Sequence, residues 1–317
     1  MMVQRVLVAT RSFGSTSSKP WDVLTEAGCE VAKADMTIEM TEARLIELLK
    51  DVDGAIIGVV PMTAHVMENA PRWKVVSMHG VGVDHVDLSA AARLGIVVAN
   101  CPGTNDQAVA DLTIGLMIAI ARKIPQVDRL VRQGGWGHHS GSELWSKTLG
   151  LIGMGRIGRG VAKRALGFDM KVLVYDPYVK QEQIDLVGVR LTTLEEVLRE
   201  ADFLSLHAVC NDETRNMLNI DQFKKMKSSA YLVNTARGGL IDESALYQAL
   251  TTGIIAGAAL DVFVEEPPAG SPLLALENVV LTPHIGAHTK EAIERMGVLA
   301  AKNVVQTLQG GQPIYRV

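Results

Sequence analysis

The run Thr148-Leu-Gly-Leu-Ile-Gly-Met-Gly-Arg-Ile-Gly158 does most to limit what this chain can fold into. An apolar strand meets a helix there, and the junction carries Gly153, Gly155 and Gly158 in G-x-G-x-x-G spacing. In a βαβ unit the first such glycine makes the tight turn, the second lets a pyrophosphate approach the backbone, and the third lets helix and strand pack closely. The helix begins near Arg156, so its free N–H groups and positive dipole end face the phosphates. A second apolar strand, Lys171-Val-Leu-Val-Tyr-Asp176, ends in an acid 18 residues after Gly158. A carboxylate at that place hydrogen-bonds a ribose 2′-hydroxyl and repels a 2′-phosphate, which predicts NAD over NADP. The glycine spacing alone is a weak signal in a chain with 29 glycines. The strand before it, the helix after it and the acid beyond make it specific.

Bulk properties narrow the remainder. A chain of 317 residues is long enough for about two domains with sizeable cores. Its 48% apolar and 21% charged residues are those of an ordinary globular protein. A net charge of −4 without a cationic block disfavours nucleic acid and anionic membrane as partners, and 4% aromatic residues disfavour base stacking. Cys29, Cys101 and Cys210 are odd in number and far apart, which fits packing residues in a reducing compartment and neither a disulfide framework nor a metal site. Cys101 lies beside a predicted domain junction, and of the two readings, a reactive thiol and an inert packing residue, the inert one is preferred. The N-terminus runs directly into a strand without the apolar core of a signal peptide. The most apolar helical run, Leu112 to Ala121, is too short to span a bilayer. A cytoplasmic location is therefore expected.

Short Val- and Ile-rich runs alternate with helical patterns along almost the whole chain, the signature of parallel sheets with crossover helices. Strands are predicted at Arg5–Thr10, Ala55–Gly58, Val75–Met78, Val97–Asn100, Phe203–His207, Tyr231–Asn234, Ala258–Val262 and Val279–Thr282. Helices are predicted at Thr41–Lys50, with Thr41 as N-cap, and at Asp87–Leu94. A long helical segment from about Asp106 to Gln133 should kink at Pro125, and a last helix runs from about Thr289 to Leu308. A nucleotide fold that starts in mid-chain implies insertion. Residues 1–99 form one α/β unit and residues 100–287 the cofactor domain, with residues 288–317 returning to the first unit.

Three segments place titratable residues just beyond predicted strands, at the carboxyl edge where open α/β sheets bind ligands. They are Asn234-Thr-Ala-Arg-Gly-Gly239, Asp261-Val-Phe-Val-Glu-Glu-Pro-Pro268 and Thr282-Pro-His-Ile-Gly-Ala287. With Gly80-Val-Gly-Val-Asp84, Asn100-Cys-Pro-Gly103, Ala110-Asp-Leu112 and the glycine fingerprint, they closely resemble the D-isomer-specific 2-hydroxyacid dehydrogenase family, in particular its D-3-phosphoglycerate dehydrogenase-like branch. The matched motifs occur in the family's order over nearly the whole chain. The resemblance implies a Rossmann-type doubly wound parallel sheet inserted into a smaller flavodoxin-like α/β substrate domain. It implies an NAD-dependent oxidoreductase that interconverts a small D-2-hydroxy acid and its 2-keto acid.

By motif, the family's catalytic Arg, Glu and His fall on Arg237, Glu266 and His284. Hydride addition to a keto group builds charge on its oxygen, so a positioned acid must supply a proton, and an imidazole changes state near neutral pH. Glu266 would orient the ring of His284 and favour its protonated form. Glu265 beside it is an alternative. Arg237 would grip the substrate carboxylate with two parallel hydrogen bonds. Arg156 and Ile157 would present N–H groups to the pyrophosphate. Val81, Ala208, Thr235 and Ala236 would line the dinucleotide cleft, Gly286 would also contact the cofactor, and Asp261 would lie near the nicotinamide end. Val81 and Gly82 would offer N–H groups to the substrate carboxylate. His207 and Asp242 are read as structural, Asp242 as a helix N-cap.

The chain departs from the phosphoglycerate pattern at the substrate tail. Such dehydrogenases usually carry an Arg after the strand matching Gly54–Gly58, whereas Gly58-Val-Val-Pro-Met62 has no cation. A second Arg, often found before the glycine loop, is replaced in Met78-His79-Gly80. His79 and His288 are thus candidate contacts to an unusual tail, though chance surface histidines are about as good an account. The resemblance further implies a short form without a regulatory C-terminal extension, and a homodimer paired through the cofactor domains. The alternative is an NAD-sensing, corepressor-like binding protein on the same fold. A hydrolase is disfavoured because no G-x-S-x-G nucleophile elbow occurs.

Overall fold

A computed structural model describes residues 3–317. They divide into two units, one of residues 3–105 and 287–317 and one of Asp106–Gly286. The sequence reading places these divisions at 99/100 and 287/288, a few residues away.

The first unit holds strands β1 Arg5–Ala9, β2 Glu30–Lys33, β3 Gly54–Ile57, β4 Val75–Met78 and β5 Val97–Ala99. All pair in parallel in the order β2-β1-β3-β4-β5. That is the flavodoxin-like winding. Its helices are α1 Lys19–Glu26, α2 Glu42–Leu49, α3 Ala64–Glu68 and α4 Leu88–Leu94, with the final helix described below. Thr41 caps α2 through its hydroxyl, and Asp87 caps α4 through its carboxylate, so two predicted helical starts are the caps themselves.

The second unit begins with α5 Asp106–Ala121 and α6 Ile124–Arg132. The helical segment is broken at Lys123, whose φ is +53°, and not at Pro125 as the sequence predicts. Pro125 instead sits in the first turn of α6, where its missing N–H costs no intrahelical bond. The unit continues through β6 Thr148–Ile152, α7 Arg156–Leu166, β7 Lys171–Tyr175, β8 Val189–Leu191, α8 Leu194–Glu200, β9 Phe203–Leu206, α9 Ile220–Phe223, β10 Tyr231–Asn234, α10 Glu243–Thr251, β11 Gly257–Leu260 and β12 Val279–Leu281. Its seven parallel strands run β12-β11-β10-β9-β6-β7-β8, a doubly wound Rossmann order that reverses beside β6. Buried aliphatic clusters cover both faces. Leu173, Leu204, Leu232 and Leu260 point to one side, and Leu151, Val174, Val233 and Ala259 to the other. A sheet covered on both faces needs continuous apolar strands, and the sequence reads that way.

The last helix, α11 Lys290–Leu308, packs on α1, β3 and β4 and so completes the first unit. Thr289 caps it. Asn303, buried in this helix, donates to the Asn100 carbonyl at 3.0 Å and accepts from the Ile314 N–H at 2.9 Å. These bonds tie the C-terminal segment down. Among the described residues, no helix is long and apolar enough to cross a membrane, and no group of three or more His, Cys, Asp or Glu could hold a metal ion.

Candidate active site

The glycine turn after β6 fits a dinucleotide phosphate. Gly153 has φ +99°, and a Cβ there would lie 2.6 Å from the His207 carbonyl group. A Cβ on Gly158 would collide with the Gly153 oxygen, whereas one on the exposed Gly155 would meet nothing within 4 Å. The turn is thus closed on its protein side and open on the other. No side chain caps α7, so the N–H groups of Arg156 and Ile157 are left for an anion. Asp176, at the end of β7, accepts the Met154 N–H at 2.8 Å through Oδ2 and the Tyr178 N–H at 2.9 Å through Oδ1. It therefore braces the glycine turn from the neighbouring strand.

Arg237, Glu266 and His284 all follow strands of the same sheet. Asn234, buried at the end of β10, shapes the arginine turn: its amide donates to the Arg237 carbonyl at 2.8 Å and accepts the Ala236 N–H at 3.0 Å. The half-buried Arg237 side chain donates to the Ala236 carbonyl at 2.7 Å. Gly238 lets this turn lie directly against the Phe263–Val264 backbone, with which any Cβ would collide. The Phe263 N–H in turn donates to Glu266 Oε1 at 3.1 Å. Glu266 Oε2 accepts from His284 Nδ1 at 2.7 Å. The competing Glu265 has no such bond. With Nδ1 engaged, Nε2 is the ring nitrogen left to exchange a proton.

His284 itself lies at φ +52°, a left-handed conformation costly for a side-chain-bearing residue. The cause is Asp261, only 1% exposed at the end of β11. Its Oδ1 accepts the Thr282 hydroxyl at 2.6 Å and the Ile285 N–H at 2.8 Å, its Oδ2 accepts the Gly286 N–H at 2.8 Å, and its carbonyl accepts the His284 N–H at 2.8 Å. Those bonds wrap the turn around one carboxylate and present the imidazole. Both oxygens of Asp261 are used in this way, whereas the sequence points it at a cofactor. Gly286 is buried, with Asp261 and Val109 where a Cβ would go.

Glu266 and His284 favour each other's charged form. The hydrogen bond to Glu266 raises the His284 pKa above its ordinary 6.5, against the opposing effect of burial, and the charges of Glu266 and Asp261 add to it while Arg237 opposes. Burial would raise Glu266. The His284 hydrogen bond, the Phe263 N–H and the charges of His284 and Arg237 outweigh burial and hold it below 4.5. That Arg237 acts on both groups places the three side chains in one electrostatic neighbourhood.

The other sequence candidates fall as follows. Thr235 is buried with its hydroxyl 2.9 Å from that of Thr113 on α5, while Ala208 and Ala236 are half-buried at the ends of β9 and β10. In the first unit Val81 is exposed and Gly82 half-buried after β4, with the Val81 carbonyl held by Asn100 at 2.8 Å. His288 is exposed. His79 differs from the expected tail contact. It is 9% exposed, its Nδ1 is 3.1 Å from the Ser12 hydroxyl, its ring meets Phe13 edge-on, and burial pushes its pKa down to about 4. A neutral, enclosed ring of this kind positions Ser12 better than it reads an anion. His207 is structural as expected, with Nε2 2.9 Å from the Ser205 hydroxyl and its pKa pushed down to about 3 by burial. Asp242 caps α10. Cys101 is fully buried and pushed up to about 12 by burial, an inert thiol. Asn234, Thr282 and Gly238 are not singled out by sequence. Asn234 bonds the backbone of its turn, Thr282 bonds the Asp261 carboxylate and Gly238 permits a close backbone approach, and only a strand-end position hints at them.

A glycine cradle at the switch point of a doubly wound sheet, with an Arg and a Glu–His pair along the same sheet edge, defines a dinucleotide-binding type of α/β domain. The NAD-binding domain of the D-isomer specific 2-hydroxyacid dehydrogenases matches residues 114–286. D-3-phosphoglycerate dehydrogenase of Methanocaldococcus jannaschii is 44% identical over 285 residues, covering 89% of this chain and 54% of that protein. Glyoxylate reductase of Korarchaeum cryptofilum is 42% identical over 278 residues, covering 85% and 83%. The crystal structure of the TT0316 protein from Thermus thermophilus superposes with a TM-score of 0.90 at 40% identity, covering 99% of this chain and 100% of that one. The chain belongs to the D-isomer-specific 2-hydroxyacid dehydrogenase family, and residues 114–286 match its NAD-binding domain. It spans about half the length of the curated phosphoglycerate dehydrogenases it matches.

The linked pair has a signature in stability. His284, raised above 6.5 when folded, stabilises fully below that pH and loses its contribution as pH rises through the folded value. Glu266, held below 4.5, stabilises fully above that pH and loses its contribution as pH falls through the folded value. The stability difference between wild type and Glu266→Gln, read by urea denaturation, should therefore be greatest between pH 4.5 and 6.5. A difference that is flat with pH would contradict the pairing.

Proposed function

We propose that this chain is an NAD-dependent dehydrogenase that interconverts a small D-2-hydroxy acid and its 2-keto acid. The observation that carries this is the 2.7 Å Glu266–His284 pair on the same sheet edge as Arg237 and the glycine cradle. When bound, the nicotinamide supplies or accepts the hydride. Arg237 binds the substrate carboxylate through its planar guanidinium, which fixes the keto carbon in place. His284, protonated and held by Glu266, gives the Nε2 proton to the carbonyl oxygen as charge builds there. In the reverse direction neutral His284 takes the hydroxyl proton, and Glu266 stabilises the imidazolium that results. The turn built on Asp261 keeps the ring in place during both steps.

The relatives named D-3-phosphoglycerate dehydrogenase and glyoxylate reductase suggest substrates with a two- or three-carbon acid core. The cation-free Gly58-Val-Val-Pro-Met62 segment argues for a tail other than the usual phosphate. Val81 and Gly82 remain proposed substrate contacts of the first unit, and Ala208, Thr235, Ala236 and Gly286 proposed cofactor contacts of the second. NADH oxidation followed with hydroxypyruvate, its phosphate, glyoxylate, pyruvate and sulfopyruvate tests the reading. Turnover with at least one keto acid should fall by about 10²- to 10⁴-fold in His284→Ala. NADH binding without turnover of any of them would favour the corepressor-like alternative.

A homodimer through the second unit is part of the proposal. Helix α6 buries none of its residues within the chain, and Trp136 just beyond it is 88% exposed. An amphipathic helix left open in this way calls for a partner surface. Light scattering should give twice the chain mass, and Val131→Asp should shift it toward the monomer. A monomeric wild type would overturn the dimer.

A further inference from the structure

The reading of Asp176 as the acid that chooses NAD leaves part of the local structure unexplained. Both Asp176 oxygens already accept backbone N–H groups, from Met154 and from Tyr178. Tyr178 is 77% exposed. Its hydroxyl donates to Glu213 Oε2 at 3.1 Å, a residue 35 positions further along the chain.

The topology gives this contact a meaning. Strand β6 lies between β7 and β9 in the sheet, and the glycine turn stands at its carboxyl end. Tyr178 belongs to the loop after β7, and Glu213 to the loop after β9. Their hydrogen bond therefore runs from one side of the glycine turn to the other, at the switch point where a dinucleotide lies. The backbone that carries Glu213 is firmly placed. Asn211 Oδ1 accepts the N–H groups of Glu213 and Thr214, each at 3.1 Å, and the Thr214 hydroxyl donates to the Val209 carbonyl at 2.7 Å. The Tyr178 phenol is pushed above its ordinary pKa by the hydrogen bond and charge of Glu213, and the charge of Asp176 adds to this, so both carboxylates act on one small region. The Arg159 guanidinium on α7 donates to the Gln183 carbonyl at 2.8 Å.

We propose that Glu213 is a second acidic determinant of cofactor choice, set in place by the Tyr178 hydroxyl to repel a 2′-phosphate alongside Asp176. The idea rests on the reading of this turn as the NAD site. A dianionic 2′-phosphate would face two carboxylates on opposite walls, whereas a 2′-hydroxyl meets no such repulsion and can donate to an acid. The phenol holds Glu213 beside the glycine turn, where an unanchored surface carboxylate would turn to solvent. Removing Asp176 alone should thus admit NADP only in part.

Binding of NAD+ and NADP+ to the full chain, measured by calorimetry without substrate, tests the assignment. Glu213→Gln should raise the ratio of NADP+ to NAD+ affinity about fivefold at low salt and by less at high salt, as expected for a screened charge. Asp176→Ser/Glu213→Gln should exceed Asp176→Ser by a similar factor. Tyr178→Phe, which keeps the ring and frees Glu213, should move the ratio the same way by a smaller factor. A ratio unmoved in Glu213→Gln, with the double variant equal to Asp176→Ser, would overturn the role of Glu213. A ratio unmoved in Tyr178→Phe would overturn the anchoring role of the phenol. A wild-type chain that binds neither nucleotide would overturn the cofactor reading itself.

Discussion

The hydrogen bond between His284 Nδ1 and Glu266 is the interaction on which the proposed chemistry of this chain depends. It engages Nδ1, leaves Nε2 as the ring nitrogen that can exchange a proton, and raises the pKa of the imidazole above its ordinary value. Glu266 can do this because burial, which would neutralise it, is outweighed by the Phe263 N–H and by the charges of His284 and Arg237. Each member of the group keeps another in its working state.

That bond needs a scaffold that brings three strand ends together, and most of the local structure serves this purpose. Asp261 spends its whole carboxylate on the 282–286 turn and so holds His284 in a backbone conformation it would not adopt alone. Asn234 organises the arginine turn through its side-chain amide, and Gly238 lets that turn lie against the Phe263–Val264 backbone. Parallel strands with apolar residues on both faces make the base rigid, so the loops at the carboxyl edge can carry polar groups without loosening the core.

Much of this is legible in the residues. The alternation of Val- and Ile-rich runs with helical patterns locates eight strands besides the two of the glycine fingerprint, and all exist within one or two residues at each end. The two short edge strands β2 and β8 escape it, because edge strands are half-covered and carry charged residues such as Glu30, Lys33 and Arg190 that break the apolar signal. The insertion of one unit into the other follows from a nucleotide motif that starts late in the chain. The glycine turn, Arg237, Glu266 and His284 announce themselves because their chemistry is in the side chain or in a fixed spacing. The supporting bonds do not, since an Asn, a Thr or a buried Asp at a strand end has the same appearance whether or not it organises a turn. His79 shows the opposite error: a titratable residue in a suggestive place, enclosed by Phe13, Ser12 and α11 in a way that no local pattern reveals.

The most direct measurement is the pKa of His284 by NMR titration of the imidazole resonances in the full chain, assigned by their loss in His284→Ala. The account predicts a value above 6.5 that falls when Glu266 is replaced by Gln. A value at or below 6.5, or one indifferent to Glu266→Gln, would contradict the claim that this pair holds the catalytic proton.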